Sequence, residues 1–240
     1  MLAKFQFLRP SIAMQAWSQL PRSREGVQCT LNDGSPSLEN AADETSTDTT
    51  NKTTAKPTEL VIVEGKSAAD AFEQVRNRKR QSLYVLQGKI PNPARHNRER
   101  LQQHAQLGPL LDLLATKTQP PPCDYIILLQ DADIDGQHNA WQLSQFFARY
   151  LPDWIEQQRL LHCAVPLARI VYNADKSDYV YTEAQLNKVI TSMPEQFEAD
   201  NDLPRINRFK GVASFNRDER ATLFGYPLHS RCSQISLPSS

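Results

Sequence analysis

The sequence predicts an α/β fold, a mostly parallel sheet flanked by helices, preceded by a disordered N-terminal tail. Three observations carry this. Short apolar, β-branched runs recur at 59–63, 82–86 and 125–129, separated by helical patterns, which is how strands of a parallel sheet alternate with their crossovers. One of these runs ends directly on Glu64, and another is followed, past Gln130, by Asp131. Residues 1–57 contain little that could form a core, and from Asp33 to Lys56 they are dominated by Ser, Thr, Asn, Asp, Glu and Pro.

The elements follow in order. The first two dozen residues carry Lys4, Arg9, Arg22 and Arg24 and no acid before Glu25, which resembles an organelle-targeting peptide weakly. An unstructured start is the simpler reading. Order begins near Thr58, with Glu59-Leu-Val-Ile-Val63 as the first strand. Ser67 is positioned to cap a helix, with Asp70 three residues on, that runs to about Arg80. Ser82 to Leu86 is the second strand, and Gln87-Gly-Lys-Ile-Pro-Asn92 ends it. A helical stretch from about Asn97 to Ala115 stops before Pro120-Pro-Pro122. Tyr125 to Leu129 is the third strand, followed by a helix from about Asn139 to Tyr150. A fourth strand is expected around Leu161 to Tyr172. The expected organisation is a tail over 1–57, a sheet domain over 58–172, an extension over 173–225 and a flexible tail over 226–240.

Composition excludes some classes. The 27 basic residues balance the 27 acidic ones, so any surface for nucleic acid must be local. Cys29, Cys123, Cys163 and Cys232 are scattered without a C-x-x-C pair, which argues against a zinc cage or a disulfide framework and for reduced thiols in a cytosolic protein. No apolar run approaches the roughly 20 residues of a membrane-spanning helix.

The chemistry concentrates in Asp131-Ala-Asp-Ile-Asp-Gly136. Carboxylates at alternate positions before a glycine match the first half of a calcium-binding EF-hand loop. Counted from Asp131, however, the twelfth position is Gln142 rather than Glu, and the preceding element is a strand. A dehalogenase-type phosphatase also places Asp-x-Asp at a strand end, but Asp135 stands where Thr or Val is usual. A solvated acidic turn needs no ligand, yet three carboxylates in five residues repel one another. Glu64 ends another apolar strand, and ligands of open α/β sheets collect at the carboxyl ends of strands. Adjacent strands would bring Glu64, Asp131 and Asp133 together as a hard, oxygen-only site suited to Mg²⁺ and phosphoryl chemistry.

Three motifs then occur in a fixed order: Glu64-Gly-Lys-Ser-Ala68, Gln87-Gly-Lys-Ile-Pro-Asn92 and Asp131-Ala-Asp-Ile-Asp-Gly-Gln-His138. Together they resemble the TOPRIM domain, a Rossmann-like fold, of type IIA DNA topoisomerases, specifically the B subunits of bacterial gyrase and topoisomerase IV. Gln145–Glu156, Ala164-Val-Pro-Leu167 and Arg208-Phe-Lys-Gly211 extend the likeness to about residues 58–225.

The resemblance implies a Mg²⁺-dependent component of DNA cleavage and religation, an isomerase acting on double-stranded DNA with an A-type subunit that carries the catalytic tyrosine. Mn²⁺ would substitute for Mg²⁺. Glu64, Asp131 and Asp133 would be catalytic metal ligands, with Asp135 supporting or sharing a second ion. Lys89 would be catalytic and contact DNA, and His138 would orient the metal loop or approach the backbone. Apart from the resemblance, Arg76, Arg78, Lys79, Arg80, Lys89, Arg95, Arg98 and Arg100 form a local basic segment that brackets the Gly-Lys loop and could follow a phosphate backbone, so Arg76 and Arg80, with Lys210, complete the expected DNA contacts. Residues 1–57 are too polar and short for the ATP-binding and transducer domains of such subunits, so no ATP site is expected in this chain, and a separate ATPase-bearing subunit would be a further partner. A cytoplasmic, nucleoid-associated location follows from the same resemblance.

Three departures stand out. Lys66 occupies the position usually held by Asp, Gln87 replaces an arginine, and Val212-Ala-Ser-Phe215 lacks a glycine and a carboxylate. These leave open a DNA- or subunit-binding module without catalysis, and a stand-alone Mg²⁺ nuclease on the same fold.

Overall fold

A computed structural model describes residues 6–7, 58–88, 90–115, 122–173, 175–192 and 205–236. Of the expected N-terminal tail, residues 1–5 and 8–57 lie outside the described residues, and Gln6–Phe7 form strand β1.

The main sheet grows from the apolar runs. Glu59–Glu64 (β2) is buried except at its last residue, Gln81–Leu86 (β3) runs parallel to it on one side, and Tyr125–Leu129 (β4) runs parallel on the other. Leu160–Cys163 (β5) extends the parallel set beyond β4. Ser233–Ser236 (β9) then adds antiparallel to β5, and β1 pairs antiparallel with β9, for a final order β1-β9-β5-β4-β2-β3. The chain leaves β2 toward β3 and then returns to β4 on the opposite side. The switch point of the sheet therefore lies between β2 and β4, where an open α/β sheet splays into a crevice.

Alternation along the strands sorts the core into two layers. Leu60, Ile62, Ile126 and Leu128 face α3 (Leu107–Ala115) and α4 (Ile134–Tyr150), meeting Leu107, Leu111, Leu143 and Phe146. Val61, Val63, Ile127 and Leu129 face α1 (Gly65–Glu73) and α7 (Arg217–Phe224), meeting Ala68, Phe72, Phe215 and Phe224.

Several boundaries differ from expectation for identifiable reasons. α1 begins at Gly65 and ends at Glu73, because Asn77 turns the chain: its carbonyl accepts from Arg80 and Gln81, and its side chain accepts from Lys79. The helix expected over 97–115 is two, α2 (Arg98–Gln102) and α3. His104 Nδ1 accepts from the amides of Gln106 and Leu107, and Gly108 packs so tightly under the carbonyl of Gln102 that a β-carbon would stand 2.0 Å from it. α4 starts at Ile134 rather than Asn139, because Asp133 caps it.

The strand expected over 161–172 is also two. β5 stays in the main sheet, while Ala168–Val171 (β6), past Pro166, joins Ser177–Val180 (β7) and Arg205–Arg208 (β8) in a second, antiparallel sheet of order β7-β6-β8. Ala168, Ile170 and Val180 close a small core with Leu186 of α6 (Glu183–Ser192). Glu219 ties this sheet to α7, accepting from Arg169 at 2.5 Å and from the Tyr179 hydroxyl at 3.1 Å. The flexible tail expected from 226 onward is corrected over 226–236: Leu228 is fully buried, His229 binds Glu59, and β9 lies within the main sheet.

Candidate metal centre at the carboxyl edge of the sheet

Glu64 is the last residue of β2. The β2/β4 register, which pairs Val63 with Leu129, sets Glu64 beside Gln130 and leaves Asp131 one residue further out. Glu64 and Asp131 therefore lie at the carboxyl ends of neighbouring strands, at the switch point. Burial, followed by repulsion from Asp131, Asp133 and Asp135, raises the Glu64 carboxyl to about 6, against an opposing hydrogen bond from Asn139. Glu64 Oε2 is buried without a hydrogen-bond partner.

Asp131 is also raised, chiefly by burial and then by Asp133, with the Val212 amide and the Lys210 charge pulling the other way. Val212 N–H donates to Asp131 Oδ1 at 3.3 Å. Asp133 is fixed by its own helix: Gly136 N–H donates to Asp133 Oδ1 at 2.9 Å. A β-carbon at Gly136 would stand 2.2 Å from the Asp131 carbonyl oxygen, so only glycine allows this loop to fold back on itself. Asp135 is exposed in the first turn of α4.

The donors are all hard oxygens, and Glu64 Oε2 is an orphan acceptor, so the residues fit a Mg²⁺-type ion in chemistry. They are not gathered tightly. Among the described residues, no three His, Cys, Asp or Glu side chains are grouped closely enough to hold an ion as they stand. The cause is visible in their partners. Glu64 is drawn under α4 by Asn139, Asp131 toward Val212 on the opposite face, and Asp133 to its helix cap.

The other expected site residues divide. Lys210 is exposed and its charge acts on Asp131. His138 is half-buried on α4, with Nε2 at 3.1 Å from Gln142 Nε2. Lys89 lies outside the described residues. Its neighbour Gly88 has φ +66, and the Gly88 carbonyl accepts from Asn139 at 3.4 Å, so the loop approaches α4. Arg76 and Arg80 lie elsewhere than expected. They flank the amino end of β3, where Gln81 pairs with Glu59, roughly 16 Å along the strand from Glu64. Arg76 is occupied there, paired with Glu73 and donating to the Gln81 carbonyl at 2.5 Å. Arg76 and Arg80 therefore do not share one face with the acidic edge.

Sequence reasoning missed Asn139, Gln130 and the Gly211–Val212 backbone. Gln130 donates to the Ile62 carbonyl at 2.8 Å, while Gln130 Oε1 and Asn139 Oδ1 are buried without partners. The available signal was a pair of polar side chains at otherwise core-facing positions.

Comparison with known proteins identifies the domain. Residues 59–161 match the family model of the Toprim domain. The chain carries a Toprim domain. Similar curated proteins include the B subunit of DNA topoisomerase 4 from Caulobacter vibrioides, 30% identical over 186 residues (75% of this chain, 26% of that protein). The B subunit of DNA gyrase from Spiroplasma citri is 30% identical over 171 residues (69% and 26%), and the topoisomerase 4 B subunit from Rickettsia felis is 32% identical over 167 residues (67% and 25%). This chain thus spans about a quarter of the length of the curated relatives it matches. The fold of the Toprim domain and its neighbouring segments also resembles the DNA-binding, cleavage and re-ligation domain of Plasmodium falciparum topoisomerase II. That match has a TM-score of 0.56 and 15% identity, and covers 69% of this chain and 23% of the other. The Toprim domain ends near Leu161, so Lys210, Gly211 and Val212 reach its acidic edge from outside the matched segment. No helix among the described residues is long and apolar enough to cross a membrane.

Proposed function

We propose that this chain is a Mg²⁺-dependent component of DNA cleavage and religation of the type IIA topoisomerase kind, acting on double-stranded DNA in the cytoplasm with an A-type subunit that supplies the tyrosine nucleophile. The observation that carries the reading is that Glu64, ending one strand, and Asp131, just past the end of its parallel neighbour, lie at the switch point, each carboxyl raised by burial and by its acidic neighbours. Mutual repulsion of this kind is relieved by a cation.

Glu64, Asp131 and Asp133 would hold the ion, with Asp135 at the solvent side. When bound, Mg²⁺ supplies Lewis-acid polarisation of a phosphate and stabilisation of a leaving oxygen. The chain's own residues set the stage for it. Asp133 is kept in one rotamer by capping α4, Asn139 holds Glu64 in place, and Lys210 adds a positive charge beside Asp131 for a phosphate backbone to approach. Lys89 and His138 are proposed as further DNA contacts.

The test is supercoiled plasmid incubated with this chain, an A-type subunit and Mg²⁺. Nicking, cleavage or relaxation that disappears in Asp131→Ala/Asp133→Ala supports the proposal, and no change in plasmid topology with an A-type subunit demonstrably bound rejects it. A second reading, a DNA- or subunit-binding module without catalysis, is favoured by Lys66, exposed in the first turn of α1, and by the engagement of Asp131 with Val212. It expects the double variant to bind DNA and partner as the unaltered chain does.

A further inference from the structure

Far from the acidic loop in function, the β5/β9 junction holds a second chemically active pair. Cys163 ends β5, and Cys232 immediately precedes β9. Their strands are antiparallel, with Leu161 opposite Gln234 and His162 opposite Ser233, so the next step of the register sets Cys163 opposite Cys232. Directly opposed residues of an antiparallel pair have Cα atoms about 4.5–5.5 Å apart. A disulfide accepts about 4.4–6.8 Å. Both residues are free thiols, and their sulfur atoms are within hydrogen-bonding reach of each other. Cys163 is buried, whereas Cys232 is half-buried and lines a cavity of about 400 Å³ together with Tyr125, Arg159, His229 and Gln234.

We propose that Cys163 and Cys232 form a modification site, a dithiol that closes to an intrachain disulfide when a small disulfide such as oxidised glutathione reaches Cys232 through this cavity. The Cys232 thiolate attacks one glutathione sulfur, forming a mixed disulfide and releasing one glutathione thiolate. The Cys163 thiolate then attacks the Cys232 sulfur and releases the second glutathione. The two cysteines lose two electrons and two protons in total, and oxidised glutathione becomes two molecules of glutathione.

The contact with Cys163, and then burial, raise the Cys232 thiol, and its Sγ donates to the Leu228 carbonyl at 3.2 Å. The attacking thiolate is therefore scarce at neutral pH, and the reaction is slow there and faster in alkali. The bond would join β9 covalently to the sheet and close the segment that carries β6–β8 and the Gly211–Val212 contact on Asp131. Closing so long a loop raises resistance to unfolding.

The experiment exposes the full chain to oxidised glutathione at alkaline pH, then alkylates it under denaturing conditions and maps the digest by mass spectrometry. The expected result is a Cys163–Cys232 linked peptide, Cys123 still alkylated, a rise in Tm of about 5 °C or more, and reversal by dithiothreitol. Cys123 serves as the internal control, since it is buried in the other layer of the core, away from Cys163, Cys232 and the cavity. In Cys163→Ser and Cys163→Ala, a glutathione adduct should remain on Cys232, with no linked peptide and no rise in Tm. Alkylation of both cysteines in the oxidised unaltered chain, a stable adduct on its Cys232, or linkage of either residue to Cys29 or Cys123 would overturn the proposal.

Discussion

Gly211 lies so close to Asp131 that a β-carbon on it would stand 1.9 Å from Asp131 Oδ1. The backbone there is extended, with φ −172, so the requirement for glycine comes from space rather than from dihedral angle. Gly211→Ala must displace either the carboxylate or the segment carrying Val212. Overpacking of this kind costs roughly 1–3 kcal/mol. The expected outcome is a lower Tm, with Mg²⁺ affinity altered in the same variant. Unchanged calorimetric Mg²⁺ titration together with unchanged melting would show that the contact matters to neither.

Glu64 gives a pH signature with two faces. Its carboxyl is raised from 4.5 to about 6, so the folded chain holds a proton that the unfolded chain has lost between those values. The stabilising contribution is therefore present below about 4.5 and is lost as pH rises through about 6. At pH 8, Glu64→Gln should melt at a higher temperature than the unaltered chain, and the difference should vanish near pH 4. Metal binding should run the opposite way, weakening as pH falls through 6, because the ligand must be ionised. A Tm difference that does not change with pH would count against this reading of Glu64.

Asn139 is fully buried on α4 and bridges Glu64 and the Gly88 carbonyl, while its own Oδ1 has no partner. Asn139→Leu removes the orphan oxygen and adds apolar volume, so stability should change by no more than about 1 kcal/mol. Mg²⁺ affinity should fall several-fold, since Glu64 would lose the group that holds it. Asn139→Asp should instead weaken folding, because it adds a buried charge beside the existing carboxylates. Equal Mg²⁺ affinity in the leucine variant would remove Asn139 from the site.

His162 sits within β5, and burial lowers its pKa to about 4. The folded chain keeps it neutral while the unfolded chain protonates near 6.5. Its contribution to stability is complete above about 6.5 and is lost as pH falls toward 4, by up to about 3 kcal/mol. His162→Gln should flatten the acid limb of a melting profile measured between pH 7 and pH 4. An identical acid limb in the variant would show that His162 does not titrate on unfolding.

How much of this was legible in the sequence depends on which interactions make each part. Tyr125–Leu129 has the same bounds in sequence and structure, because an apolar run flanked by Asp124 and Gln130 needs only its own composition. The acidic loop was equally legible, since Asp-x-Asp-x-Asp-Gly is local. What escaped was made by partners distant in sequence. β9 looks like a polar tail when read alone and becomes a strand because β5 offers a free edge. Arg76 and Arg80 read as flanking the Gly-Lys loop because they precede it closely. The strand between them and the loop carries the chain to the other end of the sheet. Asn139 was read as a helix start, although Asp133 had already capped that helix and left Asn139 to face Glu64.

Lys66 stands two residues after Glu64, exposed in the first turn of α1. A cation there competes with a divalent ion for the carboxylates. A positive side chain is also unfavourable at a helix start, where the macrodipole is positive. Lys66→Asp reverses both effects. Because the position is exposed, solvent screens the gain, and Mg²⁺ affinity should rise by about 3- to 10-fold, more at low salt than at high. α1 should also melt slightly higher. The measurement is Mg²⁺ calorimetry on the unaltered chain, Lys66→Asp and Lys66→Asp/Asp133→Ala at two ionic strengths. A gain that persists in the double variant would place the ion on the introduced carboxylate alone, away from the proposed centre. A gain that requires Asp133 would mean that the Toprim acidic edge is intact and is held at low affinity by a single charge.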